Sequence, residues 1–176
     1  MKQVHFVMAT KDDIETIKKL AHFIWNAHYI TIISKAQIDY MLEKMYSKES
    51  ILKQMEIENQ HFFLAYIENK CVGYAAISTT DGKQYFLHKL YIDTNIHQKG
   101  IGTVFLSFLE EKYSPEIMHL TVNRQNFKAI NFYFKYGFIS STKLYTEIYS
   151  RRHADNADFT DLNGFFTFLK FYLYKC

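Results

Sequence analysis

The stretch YIDTNIHQKGIGTVFLSFLEE, residues 91–111, decides how this chain is read. The chain holds only six glycines, yet two of them, Gly100 and Gly102, stand one residue apart at the mouth of an apolar, helix-periodic run. If a strand ends near Ile92 and the helix starts near Gly102, the backbone N–H groups of residues 98–103 lack helical partners. They then point outward at the positive end of the helix, which is a ready site for an anion. Glycine at these places removes the side chains that would hold a phosphate away. Ile101, Phe105, Phe108 and Leu109 fall on one helical face and anchor the helix in a core, while Glu110 and Glu111 sit at the far end. Two nucleotide patterns fit poorly. A Walker loop needs Lys followed by Ser or Thr after its second glycine, where this chain has Thr103 and Val104. The dinucleotide fingerprint needs a third glycine where Phe105 stands. Spacing alone also leaves a plain glycine turn before a core helix.

Working outward, VHFVMA reads as a short strand. Thr10 caps a helix with Asp12 and Asp13 in its first turn and Ile14, Ile17, Ala21, Ile24 and Trp25 on its apolar face. Ser34 and Gln37 form a capping box before a second helix, whose face is Ile38, Met41, Leu42 and Met45. Ser47 caps a third, running through Met55. The period then changes to two. HFFLAYI, CVGYAAIS and QYFLHKLYI are three strands, the last two joined by TTDGK with its Asp81-Gly82 hairpin signal. An antiparallel meander follows. After the glycine segment come a strand, IMHLTVN, and a helix from Phe127 to Tyr136 that Gly137 closes in the left-handed conformation. This order predicts a mixed α/β (α+β) layered domain, with no internal repeat or linker.

Composition narrows the function. Apolar residues make up 48% of the 176 positions and aromatics 18%, enough for one domain with a substantial core. No run reaches the roughly 18 unbroken apolar residues of a membrane span. The opening MKQVHFVMATKDD is too soon acidic for a signal peptide, so the expected compartment is the cytoplasm. Two cysteines, Cys71 and Cys176, give no disulfide framework, and the eight scattered histidines predict no metal site. A net charge of +3 suits an anionic ligand. With no basic stripe interleaved with aromatics, no nucleic acid is expected.

The blocks LHKLYIDTNIHQKGIGTVFLSFLEE and LTVNRQNFKAINFYFKYGF together resemble the two signature motifs of the GNAT acyl-CoA N-acyltransferases, most sharply over residues 85–138. The segment WNAHYITIISKAQIDYML is similar to the branch that includes PaiA-type polyamine acetyltransferases. The resemblance implies a single domain over residues 1–176. Its central sheet would be mixed and mostly antiparallel, flanked by helices, with acyl-CoA in a strand splay. It implies that Leu90, Tyr91 and Ile92 line the pantetheine arm, the backbone of Leu90 and Ile92 pairing with its amides. The amides of His97, Gln98, Lys99, Gly100, Ile101, Gly102 and Thr103 would cradle the pyrophosphate. Asn126 matches a contact to the cofactor arm and Lys135 a phosphate contact. Tyr133 falls where the family often protonates the departing thiolate.

Three departures stand out. His97 occupies a place usually held by Gln or Arg, with Gln98 one position late. His88 stands where related members carry a carboxylate base, and histidine titrates in a range suited to that task, acting through water. The third is the segment 139–176, with a polar middle that contains Arg151-Arg152 and an aromatic end, FFTFLKFYLY, expected to form the last strand. Trp25, His28, Tyr29 and Tyr40 are the acceptor-pocket candidates. Only Asp39, with Glu43 just beyond, offers negative charge there to a polyamine. The resulting expectation is an acetyl-CoA-dependent N-acetyltransferase, without a metal, that acts by direct transfer on a primary amine of a small molecule or peptide. The alternative is a catalytically silent acyl-CoA sensor of the same fold. An exposed aromatic C-terminal strand would favour a homodimer.

Overall fold

The computed structural model describes residues 2–140 and 168–175 and shows the mixed α/β arrangement that the pattern predicts. The chain divides into two compact units, Met1–Pro115 and Glu116–Cys176.

The first unit is built on four antiparallel strands in the order β1 (Val4–Met8), β2 (His61–Ile67), β3 (Lys70–Thr79) and β4 (Gln84–Ile92). Between β1 and β2 run α1 (Ile14–His28), α2 (Lys35–Tyr46) and α3 (Lys48–Glu56). Their starts follow the sequence signals. Thr10 and Asp13 close a capping box, but over a short 3-10 turn, Lys11–Asp13, so α1 proper begins at Ile14. Ser34 and Gln37 cap α2 reciprocally, and the Ser47 hydroxyl accepts the Ser50 N–H at the start of α3. Each such cap satisfies backbone donors that would otherwise be orphaned, at about 1 kcal/mol apiece.

Alternation along the strands gives the sheet two apolar faces. Phe62, Leu64, Tyr74 and Ala76 share one with the buried stripe of α1–α3, which includes Ile17, Ile24, Ile38, Leu42, Tyr46 and Ile51. Met41 and Met45 pack at its margin rather than in its centre, and Tyr46, with no exposed surface, takes the deep position. On the opposite face α4 (Ile101–Tyr113) lies against Phe6 and Phe63, with the Phe6 ring 4.6 Å from Phe105 and 4.7 Å from Phe108. Leu106 is buried alongside Ile101, Phe105 and Leu109, while Phe108 is only half-buried and stacks on Phe6.

The second unit pairs β5 (Ile117–Asn123) with β7 (Phe168–Tyr174), and β7 with the two-residue β6 (Ile139–Ser140), all antiparallel. The aromatic end of the chain is thus a strand. It is flanked by β5 along its length and by β6 at Phe171 and Tyr172, so the open edge expected of it is partly covered. Helix α5 (Phe127–Tyr136) sets Tyr133 and Phe134 against Phe171 and ends at Gly137, whose φ of +118° is the left-handed cap that the sequence calls for. Arg151, Arg152 and Cys176 lie outside the described residues.

Candidate active site

The turn between β4 and α4 is held from both ends. The Asp93 N–H donates to Val72 O at 2.8 Å, and the buried Asp93 carboxylate accepts the Asn95 N–H at 2.8 Å. The side chain of Gln98 forms a two-way bridge to the backbone of Lys2, 3.2 Å and 2.9 Å. Gln98 therefore anchors the turn with its side chain and offers a ligand only its backbone. Gly100 is the N-cap of α4 with φ of +83°, so the helix begins at Ile101, one residue earlier than expected. Among the described residues, nothing lies within 4 Å of where a Gly100 Cβ would stand, so the glycine is there for its conformation and for the open surface in front of it. Among the described residues, no backbone N–H from His97 to Thr103 donates a hydrogen bond. Seven consecutive open donors at the positive end of a 13-residue helix fit the diphosphate of a coenzyme A thioester.

One step upstream, Gly73 of β3 faces Ile92 of β4 in register. A Cβ there would stand 2.7 Å from the Tyr91 carbonyl oxygen and 2.6 Å from Ile92 Cδ1. Gly73 thus lets the predicted pantetheine-binding strand approach β3 closely. Leu90, Tyr91 and Ile92 are half-buried.

His88 occupies a β-bulge. Ala76 faces Lys89 and Ile77 faces Leu87, so His88 is an extra residue in β4. The bulge puts Leu87 and Lys89 on opposite faces and turns His88 toward the α1–α3 side, where its Nε2 lies 2.8 Å from Ser78 Oγ. Its ring stands edge-on to Phe86 at 4.5 Å.

Sequence reasoning passed over Lys89. It is 6% exposed, with Nζ 2.6 Å from Gln54 Oε1, 3.5 Å from Gln60 Oε1, and above the rings of Phe62 and Tyr46. Burial pulls its ammonium down to about 8, opposed by the charge of Glu58. Strict alternation places Lys89 in phase with both Leu87 and Tyr91; the bulge keeps it with Tyr91 on the α1–α3 face and moves Leu87 to the other.

The acceptor candidates separate. Trp25 and Tyr29 pack ring to ring at 4.5 Å, His28 stands edge-on to Tyr29 at 4.9 Å, and Tyr29 Oη lies 3.5 Å from Tyr91 Oη. Behind them the Tyr74 hydroxyl donates to Tyr46 Oη at 2.8 Å, and burial pushes both phenols well above the ordinary range. The Trp25 indole N–H is buried beside these phenols, its ring edge-on to Tyr46 at 5.9 Å. Tyr40 does not join this group. It is exposed on α2 with Lys44 over its ring, and Asp39 beside it is ion-paired with Lys35.

In the second unit, Asn126 is buried as the N-cap of α5, its Oδ1 accepting the Ala129 N–H at 3.1 Å. The cap leaves its Nδ2 unused. Tyr133 is 7% exposed and packs against Phe132, Phe138 and Phe171, and Lys135 is exposed in the last turn of α5. Asn123, also missed in the sequence, accepts the Gln125 N–H through Oδ1, and its buried Nδ2 has no partner among the described residues. Among those residues, no group of three His, Cys, Asp or Glu could hold a metal ion, and no helix is long and apolar enough to cross a membrane.

Comparison with known proteins bears on this geometry. A family model described as an acetyltransferase (GNAT) domain matches residues 30–149. A spermidine N(1)-acetyltransferase from Thermoplasma acidophilum is 27% identical over 134 residues, spanning 72% of this chain and 83% of that protein. Among solved structures, a PaiA N-acetyltransferase from Thermoplasma acidophilum in complex with coenzyme A superposes with a TM-score of 0.73. It has 22% identity, over 96% of this chain and 98% of that one. An acetyltransferase from Thermus thermophilus gives a TM-score of 0.68 and 14% identity, over 99% and 100% of the two chains. With a family model matched across most of its length, this chain belongs to the GNAT family of acetyl-CoA-dependent N-acetyltransferases.

Proposed function

We propose that this enzyme moves an acetyl group from acetyl-CoA directly onto a primary amine of a small molecule, within one ternary complex. The carrying observation is the run of open amides from His97 to Thr103, led by Gly100 in the left-handed conformation. In this reading those amides bind the pyrophosphate, and Lys135 meets a phosphate. The backbone of Leu90 and Ile92, beside Tyr91, pairs with the pantetheine amides, and Asn126 contacts the cofactor arm through Nδ2.

The reacting amine must be neutral, whereas an ordinary alkyl amine is mostly protonated at pH 7. A water molecule takes the ammonium proton and passes one to His88. The amine nitrogen then attacks the thioester carbonyl, the carbon–sulfur bond breaks, the Tyr133 hydroxyl protonates the departing thiolate, and the proton that the nitrogen sheds as the amide forms restores the Tyr133 phenol. The acceptor lies against Trp25, His28 and Tyr29. A polyamine is the leading acceptor because a relative is named for spermidine. Against it, Asp39, the acidic residue of the segment from Trp25 to Tyr40, is already paired with Lys35. A monoamine of similar length is therefore the second choice. The enzyme acts in the cytoplasm, as a homodimer in this reading; sedimentation showing only monomer at micromolar concentration removes the dimer.

The test is calorimetric titration with acetyl-CoA, with ATP as control, followed by an acetylation screen over spermidine, spermine, putrescine and alkyl monoamines. Micromolar binding selective for acetyl-CoA, about −8 kcal/mol, together with turnover of one amine class that a Gly100→Trp variant lacks, supports the reading. Binding without acetylation of any amine overturns it in favour of an acyl-CoA sensor.

A further inference from the structure

Asn123 closes the turn between β5 and α5 and keeps a donor that the turn does not use. Its carbonyl accepts the Asn126 N–H at 2.9 Å, and its Oδ1 accepts the Gln125 N–H at 2.8 Å. The second bond fixes which way the carboxamide lies, because a reversed side chain would set an NH2 against an N–H. Nδ2 is buried and has no hydrogen-bond partner among the described residues. An aspartate would hold the Gln125 N–H as well, and a serine nearly so, so the turn does not explain the amide. A buried donor without a partner is destabilising, and native proteins keep few of them. Strand parity gives its side. Leu120 lies opposite Phe171, which packs against Tyr133 and Phe134 of α5. Asn123, three residues further along, projects from the opposite face of β5, which it shares with the exposed Thr121.

We propose that Asn123 is a cofactor-binding residue, its Nδ2 donating to a carbonyl oxygen of the acyl-CoA arm beside Asn126. This rests on the reading that the arm meets Asn126. The direction of the bond follows from the group itself, since a carboxamide NH2 donates and does not accept. The ligand must therefore supply an oxygen. Of the two reaction partners, the alkyl amine offers mainly N–H donors, whereas the acyl-CoA arm carries two amide carbonyls and the thioester carbonyl. Asn126 repeats the arrangement, with Oδ1 on the Ala129 N–H and Nδ2 outside the cap. The two residues stand at the first and last positions of one turn, which keeps their Cα atoms within about 7 Å. Two neutral donors so placed suit an uncharged chain with successive carbonyls. The arriving carbonyl displaces the side chains that cover Nδ2, and the bond it makes is then shielded from competing water.

The experiment compares the full-length wild type with Asn123→Ser, which keeps an oxygen for the Gln125 N–H and removes the donor. Urea denaturation of the ligand-free proteins is paired with calorimetric titration by acetyl-CoA and by CoA. The expected variant keeps the wild-type urea midpoint and binds acetyl-CoA about tenfold more weakly, because the lost donor is satisfied only in the complex. Equal weakening of CoA and acetyl-CoA assigns an amide carbonyl of the arm, and weakening of acetyl-CoA alone assigns the thioester carbonyl. A second measurement needs no variant: in ¹³C,¹⁵N-labelled wild type, the Asn123 side-chain amide protons, assigned through their own Cβ, should shift downfield when acetyl-CoA is added. Unchanged acetyl-CoA affinity in Asn123→Ser overturns the proposal, as do Asn123 amide protons that ignore the ligand. The cofactor reading fails separately: a wild type that does not bind acetyl-CoA removes that reading together with the proposal, whereas wild-type binding untouched by the substitution removes the proposal alone.

Discussion

Replacing Lys89 by methionine tests the physical account of the first unit most directly. The ammonium is 6% exposed, and neutral carboxamide oxygens rather than a carboxylate hold it. Burial lowers it from 10.5 to about 8, so the folded protein binds this proton less tightly than the unfolded chain. The sign follows from linkage. Stability from this group is fully present above the unfolded value near 10.5, and it is lost as pH falls through about 8. At pH 7.5 the cost of keeping the ammonium buried is about 3 kcal/mol, and at pH 9.5 about 1.4 kcal/mol, a difference of about 2 kcal/mol. Methionine fills a similar volume without a charge, but it strands Gln54 Oε1, which returns about 1–2 kcal/mol of the gain. Lys89→Met should therefore be more stable than wild type by about 1–2 kcal/mol at pH 7.5 and equal or slightly less stable at pH 9.5. Urea denaturation of both proteins at the two pH values reads this out. The difference between them cancels the opposing contribution of Cys71, whose thiol burial pushes up. Both pH values also lie below the ionisation of unfolded tyrosines, which would weaken the fold through Tyr46 and Tyr74. A stability difference that does not change between the two pH values would refute the reasoning, because it would mean the lysine is not titrating in the fold.

The other predictions concern the cofactor strand, the turn and the thiolate. Gly73→Ala forces the Tyr91 carbonyl and Ile92 away from β3, costing about 2 kcal/mol in denaturation and weakening acetyl-CoA in calorimetry; an unchanged dissociation constant would separate β4 from the pantetheine. Gly100→Ala meets no atom of the described residues within 4 Å but must hold φ of +83°, so about 1 kcal/mol of stability is lost. A Cβ in front of the open amides should also lower acetyl-CoA affinity about tenfold, or about 1.4 kcal/mol. Tyr133→Phe leaves the packing against Phe138 and Phe171 in place, so acetyl-CoA affinity should hold while kcat falls about tenfold to a hundredfold. Unchanged turnover in steady-state assays would strip Tyr133 of its acid role.

What could be read in advance follows from the range of the interactions concerned. The capping box at Ser34 and the left-handed cap at Gly137 depend on residues within four positions of one another, and both stand as read; the Thr10 cap is present too, but on a short 3-10 turn ahead of α1. The strand limits of β4 and the open turn before α4 follow from local periodicity and glycine placement in the same way. Capping Oδ1 roles such as that of Asn126 are just as local, yet the family resemblance drew attention to its ligand role instead. The Ser78–His88 contact was beyond reach because it depends on a bulge, a one-residue change of register between two strands that neither strand encodes alone. Gln98 shows the same limit: its side chain is committed to Lys2, 96 residues away.

The sequence by itself determined the elements, most of their caps and the glycine turn with its open amides, because backbone hydrogen bonding and side-chain period act over a few residues. Tertiary structure alone decided which side chains share an environment. It drew Lys89 into the core, set His88 on Ser78, separated Tyr40 from Trp25 and Tyr29, and required glycine at position 73. Those outcomes depend on strand register and close packing between distant segments, where a shift of one residue exchanges one face of a strand for the other.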